Sequence, residues 1–361
     1  MNMNIAIYGA QGIAYSVYLS LKKISPVEIS CFVVTSKENN AGSICGIPVK
    51  EIELFSSELT QEDKDRTKVL IATPENTMDE IESTLKNHGF YHYVRVTSHR
   101  WSEMQRDAFM QNEEIRPLEI YPIGSDNAKV HIYKAMFYKD KKLSDSVRDT
   151  GNVTPIQVGA AQTDIRVADV LDCYGDNISE KNGNYSELTG LYWIWKNRVK
   201  SKYYGDECYY GLVHYRRIFE LSDDDLLRLR DNDIDVVLPY PMPYSPNIEE
   251  HHKRYLASSE WNAVVQALTA LYPEYLKEFK SIMGQEYFYN YNIILAKDTV
   301  LDEYCNWLFP ILFLVEKLND PDDKKKPNRY LGYVGETLET LYFMYNRKKL
   351  RIAHAGYRFI K

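Results

Sequence analysis

The sequence holds few cysteines, and none is placed to bridge or to bind metal. Cys31, Cys45, Cys173, Cys208 and Cys305 are widely scattered and form no C-x-x-C pair, which excludes a thiolate zinc site and a disulfide framework. No signal peptide is visible, so reduced thiols in a cytoplasm are the expectation. Long apolar runs are missing too. The longest, Trp307 to Val315 with Pro310 inside it, is too short to span a bilayer and predicts a buried helix. Net positive charge is absent: 44 basic against 51 acidic residues leave −7, which excludes a general nucleic-acid binder that works by neutralising phosphates. The basic residues must act locally. Tryptophan (5) and histidine (8) are scarce, whereas tyrosine is abundant at 30 residues. Its apolar ring and hydroxyl suit core packing as well as sugar and nucleobase surfaces.

At 361 residues the chain is long enough for two domains. Residues 1–125 alternate strand and helix in the rhythm of a Rossmann-like doubly wound sheet. Strands are predicted at Asn4–Tyr8, Val27–Val34 and Lys68–Thr73, with helices at Ile13–Lys23 and Met78–Asn87. Gly9-Ala-Gln-Gly12 forms a turn after the first strand. Gln11 stands at the second glycine of the dinucleotide fingerprint and Ala14 at the third, and the second strand ends in Val-Thr-Ser without a ribose-binding acid. Either the glycines only permit the turn or the segment holds a nucleotide. The segment resembles the N-terminal sugar-nucleotide domains of some bacterial polysaccharide enzymes.

Pro122, Gly124, Ser125, Asp126 and Asn127 suggest a boundary, so a second domain is expected over residues 126–361, opening on a strand from Ala128 to Phe137. Pro155 to Ala161 is a short apolar strand that stops in small residues. That makes Gly159 and Ala160 candidates for backbone approach to a planar ligand. A polar loop follows, with Asp176, Asn177, Ser179 and Asn184 where a sheet presents its carboxyl ends. The helix Glu187–Lys196 behind it carries Leu188, Leu191, Tyr192 and Trp195 at core spacing.

Gly211-Leu-Val-His-Tyr-Arg-Arg-Ile-Phe219 sends an apolar strand into one histidine and two arginines. The period of two predicts His214 and Arg216 on one face, Tyr215 and Arg217 on the other. Guanidiniums at a strand end are costly to desolvate without an anion. They fit phosphate oxygens bidentately, and structural salt bridges are the competing explanation.

The succession P-I-x-V-G-A, D-N-I-S-x-K-N-x-x-Y-x-E-L-T-x-x-Y-W-x-W-K-N and G-L-x-H-Y-R-R is similar to a family of bacterial glycosyltransferases from capsule and O-antigen clusters, long known only as a domain of unknown function. Tyr289-Asn290, Asp302 to Pro310 and Arg329 to Glu336 extend the resemblance to roughly residues 128–361. It implies a GT-A-type nucleotide-sugar fold, a UDP-sugar donor and transfer to a glycan or lipid-linked glycan; one characterised relative is a galactofuranosyltransferase. Family members commonly open on a strand ending in His-Lys where this chain has Ala135-Met-Phe137, and Asn292 replaces a usual apolar residue.

The resemblance places Gly159, Ala160, Asp176, Asn177, Ser179, Tyr185, His214, Arg216 and Arg217 around the donor, and Tyr289, Asn290, Asn292 and Arg329 around sugar or acceptor. Most GT-A enzymes hold the diphosphate through a metal on a D-x-D pair. Here Asp223-Asp-Asp225 opens a helix and Asp231 to Asp235 precedes a strand, while the expected D-x-D place carries His214, Arg216 and Arg217. No metal or other cofactor is therefore expected. Glu336 is the candidate general base, delivered by a Gly332-Tyr-Val-Gly335 loop to the start of a helix; a carboxylate that merely caps that helix is the alternative. Asp176 is the substitute base. The basic segment Arg347-Lys-Lys349 leads either to an ordinary edge strand or to peripheral contact with the inner membrane face. A nucleotide-sugar oxidoreductase or epimerase and a non-catalytic glycan-binding assembly protein remain alternatives, and the chain is left open to be a monomer or homo-oligomer.

Overall fold

The computed structural model describes residues 4–25, 27–143, 151–201, 207–322 and 327–360. Two compact units meet in sequence between Asn112 and Glu113.

In the first unit the strands are β1 (Asn4–Tyr8), β2 (Ile29–Val34), β3 (Ser43–Ile44), β4 (Ile47–Glu51), β5 (Thr67–Ile71) and β6 (Tyr93–Arg95). Its helices are α1 (Gly12–Ile24), α2 (Ile52–Ser57), α3 (Gln61–Arg66), α4 (Met78–Asn87) and α5 (Ser98–Phe109). The sheet order is β3-β4-β2-β1-β5-β6, parallel except for the β3–β4 hairpin, as helical crossovers on right-handed connections produce. Gly9 sits at φ +124°, and a Cβ there would lie 2.5 Å from the Ala72 carbonyl oxygen, so only glycine fits the turn. Gln11 donates to Asn40 Oδ1 (2.7 Å), tying the turn to the loop after β2. Just past the end of β2, Thr35 shares a hydrogen bond of 2.8 Å with the Tyr8 hydroxyl.

The second unit contains β7 (Lys129–Met136), β8 (Val153–Gln157), β9 (Val170–Leu171), β10 (Cys208–His214), β11 (Arg217–Phe219), β12 (Val236–Pro239), β13 (Met242–Pro243), β14 (Tyr287–Phe288), β15 (Ile294–Lys297), β16 (Ile352–Ala355) and β17 (Tyr357–Phe359). Its helices are α6 (Asn182–Tyr185), α7 (Leu188–Ile194), α8 (Asp223–Asp231), α9 (Ile248–His252), α10 (Ser258–Leu271), α11 (Pro273–Met283), α12 (Asp298–Asn319) and α13 (Tyr330–Asn346). The main sheet runs β16-β12-β15-β10-β7-β8-β9, with β15 alone antiparallel along this path; β11 and β17 branch from β10.

The chain winds outward through β7, β8 and β9, then returns to the other side of β7 as β10. That reversal is a topological switch point, and its crevice opens at the carboxyl ends of β7 and β10. Helices cover the sheet. Every residue of α7 is buried, and α12 buries Trp307, Leu308, Phe309, Ile311, Leu312 and Val315, the run predicted to form a buried helix. Among the described residues no helix is long and apolar enough to cross a membrane.

The boundary falls before the expected 125/126. Pro117 bridges to His354 in parallel and Leu118 is buried in the core under β12 and β16, so the Pro/Gly stretch at 122–127 lies inside the second unit. All four residues of the edge strand β16 are buried.

Three buried histidines are held neutral in this unit. His354 receives the Arg116 N–H on Nδ1 (3.2 Å), and its Nε2 meets the Tyr289 hydroxyl at 2.9 Å. Burial lowers His354 and His251 to about 4 and His252 to about 3. Between these values and the ordinary 6.5 the unfolded chain binds more protons than the native one, so stability falls as pH drops through that window. We expect a loss of on the order of 1 kcal/mol per pH unit for each histidine. Denaturant unfolding between pH 6.5 and 5 measures it, and His354→Gln should flatten the slope. An unchanged slope would mean that His354 does not stay neutral in the native state.

Candidate functional site

The expected alternation beyond β10 does not occur, because the chain turns back. β10 and β11 form a hairpin in which His214 pairs with Arg217 and Tyr215-Arg216 make the two-residue turn. His214 and Arg217 are thus cross-strand neighbours, and Arg216, in the turn, lies 5.3 Å from the Phe359 ring centroid. Histidine also differs from expectation in charge. Burial lowers the His214 pKa below its ordinary value, and Nε2 lies 2.6 Å from the Tyr291 carbonyl oxygen, to which a neutral ring can donate. It positions backbone and adds no cation.

Tyr291 and Asn292 connect β14 to β15 in the left-handed region, at φ 75° and 49°. Two consecutive non-glycine residues there are strained, on the order of 1–3 kcal/mol each, and such strain clusters at functional sites. Tyr291 touches three groups of the site. Its carbonyl accepts from His214, its N–H donates to the Glu336 carboxylate, and its ring lies under the Arg217 guanidinium, 4.2 Å from the centroid. Asn292 Nδ2 donates to Glu187 Oε1 (2.6 Å) and to the Gly332 carbonyl (3.1 Å).

Gly332 to Gly335 is not a loop. It belongs to α13, whose first helical residue is Tyr330, so Glu336 stands in the second turn. Macrodipole stabilisation fades within the first turn, so Glu336 does not cap this helix. The two glycines serve close packing instead. A Cβ on Gly335 would lie 2.6 Å from Leu188 and 2.8 Å from Asn292 Oδ1, and one on Gly332 would press on Ser186.

Glu336 keeps partial solvent exposure while protein surrounds most of its carboxyl. Burial first, and the Glu187 carboxylate second, push its pKa up to about 8; the Tyr291 N–H, Arg217 and Arg329 pull the other way. Glu339, one turn on and 1% exposed, is raised further by burial and by both neighbouring glutamates, and its Oε2 has no hydrogen-bond partner. Against these acids stand Arg216, Arg217 and Arg329. Among the described residues none of the three is ion-paired with a carboxylate, and Arg216 Nε is buried without a partner. Among the described residues the two strand-end arginines rest on the rings of Tyr215, Tyr291 and Phe359 instead of pairing with a carboxylate. Asp140, raised by burial, feels the field of Arg216 and Arg329, while its carboxylate accepts the Phe137 N–H (2.7 Å).

The candidates divide in two. His214, Arg217, Asn292, Arg329 and Glu336 come together around Tyr291, and Arg216 shares the Phe359 ring with Arg217. The remainder make hydrogen bonds within the fold. Asp172, buried and missed in the sequence, accepts the Gly159 and Ala160 N–H groups (2.9 and 3.0 Å) and the Ser179 hydroxyl, so those donors already face a carboxylate. Asn177 bonds its own loop at Cys173 and Gly175. Tyr185, fully buried, donates to Glu316 (3.0 Å). Tyr289 meets His354, and Asn290 donates to the Tyr244 hydroxyl (2.8 Å). Asp176 accepts from Tyr192 (3.0 Å), and its backbone is gripped by Asn197; a Cβ on the preceding Gly175, at φ +69°, would clash with Asn197. The acidic runs are likewise committed. Asp225 completes a capping box with Ser222, Asp233 pairs with Lys297, and Asp235 accepts the Arg351 N–H.

Residues 132–348, well over half of the chain, match the family described as a domain of unknown function, DUF4422. The chain belongs to that family. Among solved structures it is similar to the bifunctional glycosyltransferase WbbM in its apo form, at 25% identity and a TM-score of 0.54, over 64% of this chain and 45% of that one. The chain thus spans less than half the length of that structure. A methyltransferase FkbM from Methylobacillus flagellatus KT shares 11% identity over 64% of this chain and 83% of that one; its TM-score of 0.25 carries no argument. The comparison with curated proteins gives no match.

The raised carboxyl of Glu336 has a stability signature. Between the ordinary 4.5 and about 8 the native state holds the extra proton, so stability present below pH 4.5 is lost as pH rises towards 8. Glu336→Gln retains an acceptor for the Tyr291 N–H and removes the titration. The variant should gain on wild type by on the order of 1 kcal/mol per pH unit across that window, then hold the gain. Paired urea melts from pH 5 to 9 read the difference, and a gap independent of pH would show an ordinary carboxylate.

Proposed function

We propose that this chain is a GT-A-type glycosyltransferase that moves a hexose, galactofuranose or galactopyranose, from a UDP-sugar to a glycan acceptor during bacterial surface-polysaccharide synthesis. One observation carries the reading: at the topological switch point of the sheet, a carboxyl raised to about 8 lies in the field of Arg217 and Arg329, which among the described residues form no ion pair with a carboxylate. The likeness to WbbM supports it. A hexosyltransferase of class EC 2.4 needs both halves of this site.

In the reaction we propose, an acceptor hydroxyl attacks the anomeric carbon while the bond from that carbon to the diphosphate oxygen breaks. The hydroxyl proton passes to the ionised Glu336, and UDP leaves with the bonding electron pair. Arg216, Arg217 and Arg329 offset the charge that develops on the diphosphate. A single displacement of this kind inverts the anomeric centre. Because guanidiniums take that role, no metal is required in this scheme. The first unit would then serve assembly or acceptor positioning in a cytoplasmic enzyme that meets lipid-linked acceptor at the inner membrane face.

UDP binding separates this site from a structural one. Calorimetry in excess EDTA should show wild-type affinity for UDP intact, and Arg216→Ala or Arg217→Ala should each weaken it by about 1.5–3 kcal/mol. Binding that requires added manganese or magnesium would overturn the cationic clamp, and unchanged affinity in folded variants would return the arginines to structure.

Turnover tests the base. Glu336 accepts a proton only when ionised, so the rate should climb with pH up to about 8 and then level. Glu336→Gln should leave UDP affinity near wild type, lower kcat roughly 100- to 10,000-fold on the plateau above pH 8, and abolish the climb with pH. Wild-type turnover in that variant would move the base elsewhere or require a retaining mechanism.

A further inference from the structure

Of the residues first assigned to sugar or acceptor, Tyr289 and Asn290 do not present a surface to one. Tyr289 and Asn290 are 4% and 7% exposed, and both spend hydrogen-bonding groups inside the fold. A glycan needs an accessible face beside Glu336. The corner after α9 supplies one. Tyr255 is 49% exposed, and its ring packs at 5.2 Å, tilted by 35°, on the ring of Tyr333. Tyr333 stands three residues before Glu336 on α13, hence on the same side of the helix one turn away.

Tyr255 rests on a rigid stack. Its ring meets His251 at 5.1 Å, and His251 lies flat on Tyr244 at 3.5 Å and 18°. The Tyr244 hydroxyl in turn accepts from Asn290. Behind the corner, His252 meets the Thr337 hydroxyl at 3.1 Å, next in sequence to Glu336, and Trp261 packs against His252. His252, Leu256, Trp261 and Asn262 help line a cavity of about 160 Å³. An apolar ring this exposed on so ordered a support, beside a carboxyl that takes a proton, has the form of a platform for a ligand with one apolar and one hydroxylated face. A pyranose is such a ligand.

We propose that Tyr255, backed by Tyr333, is the acceptor subsite: a pyranose ring of the acceptor stacks on the open face of Tyr255 and presents its hydroxyl to Glu336. This rests on the glycosyltransferase reading and names where its second substrate sits. The hydroxyl of Tyr255 is not needed for stacking, so phenylalanine should replace it and alanine should not.

Saturation-transfer NMR with octyl β-galactopyranoside as acceptor probe, and UDP in a parallel titration, tests the subsite without turnover. Wild type should transfer saturation to the pyranose ring protons. Tyr255→Ala should weaken glycoside binding about tenfold, Tyr255→Phe should restore most of it, and UDP affinity should be the same in all three. Glycoside binding that survives Tyr255→Ala, is absent from a wild type that binds UDP, or reaches only the octyl chain overturns the subsite. A wild type that binds neither UDP nor glycoside overturns the glycosyltransferase reading itself.

Discussion

The connection between β14 and β15 is the constraint on which the rest of the site depends. Tyr291 and Asn292 occupy backbone conformations that cost on the order of 1–3 kcal/mol each and persist only where surrounding contacts over-determine them. Those contacts are the site. His214 fixes the Tyr291 carbonyl, the Tyr291 N–H meets Glu336, Arg217 covers the ring, and Asn292 reaches both Glu187 and the backbone of α13. The β10–β11 hairpin, α7 and α13 are thereby tied to one strained dipeptide.

Charge is balanced as tightly as backbone. Glu187, Glu336 and Glu339 gather where α7 meets α13, and burial first, with mutual repulsion second, pushes the carboxyls of Glu336 and Glu339 upward. The guanidiniums of Arg217 and Arg329 pull Glu336 part of the way back. Asn292 enters here, because it donates to the carboxylate whose field raises Glu336. An apolar residue in its place would leave Glu187 without that donor, so this chain's departure from its resemblance bears on the tuning of Glu336.

Periodicity made much of the frame legible. β1 and α4 fall at their predicted bounds, and the apolar run around Pro310 lies within a buried helix. The arginines were legible because charge at the end of an apolar strand has few structural explanations. Their geometry was not: a two-residue reversal at Tyr215-Arg216 has no glycine or asparagine to announce it, so alternation was carried past the turn. Glu336 was read as a helix-start residue because Gly332 and Gly335 look like loop residues. Only close tertiary packing, of Leu188 and Asn292 on Gly335 and of Ser186 on Gly332, explains glycines inside a helix. Tyr291 carries no sequence signal at all. Left-handed backbone at a tyrosine opposes local preference and comes from the sheet, the histidine and the arginine acting together.

The long D-N-I-S to W-K-N motif is held together by its own hydrogen bonds. Asp172 clamps the backbone of Gly159 and Ala160 together with Ser179, Asn182 fills the space beside Gly159, and Asn197 returns to grip Asp176 past Gly175. Buried polar groups of this kind are costly unless every partner is present, so each fixes the identity of the next. The outcome is a rigid wall leading into Glu187 at the start of α7. From there one carboxylate reaches both Asn292 and, through its field, Glu336. Residues far from Glu336 in sequence thus set the proton affinity of the group proposed to act as base.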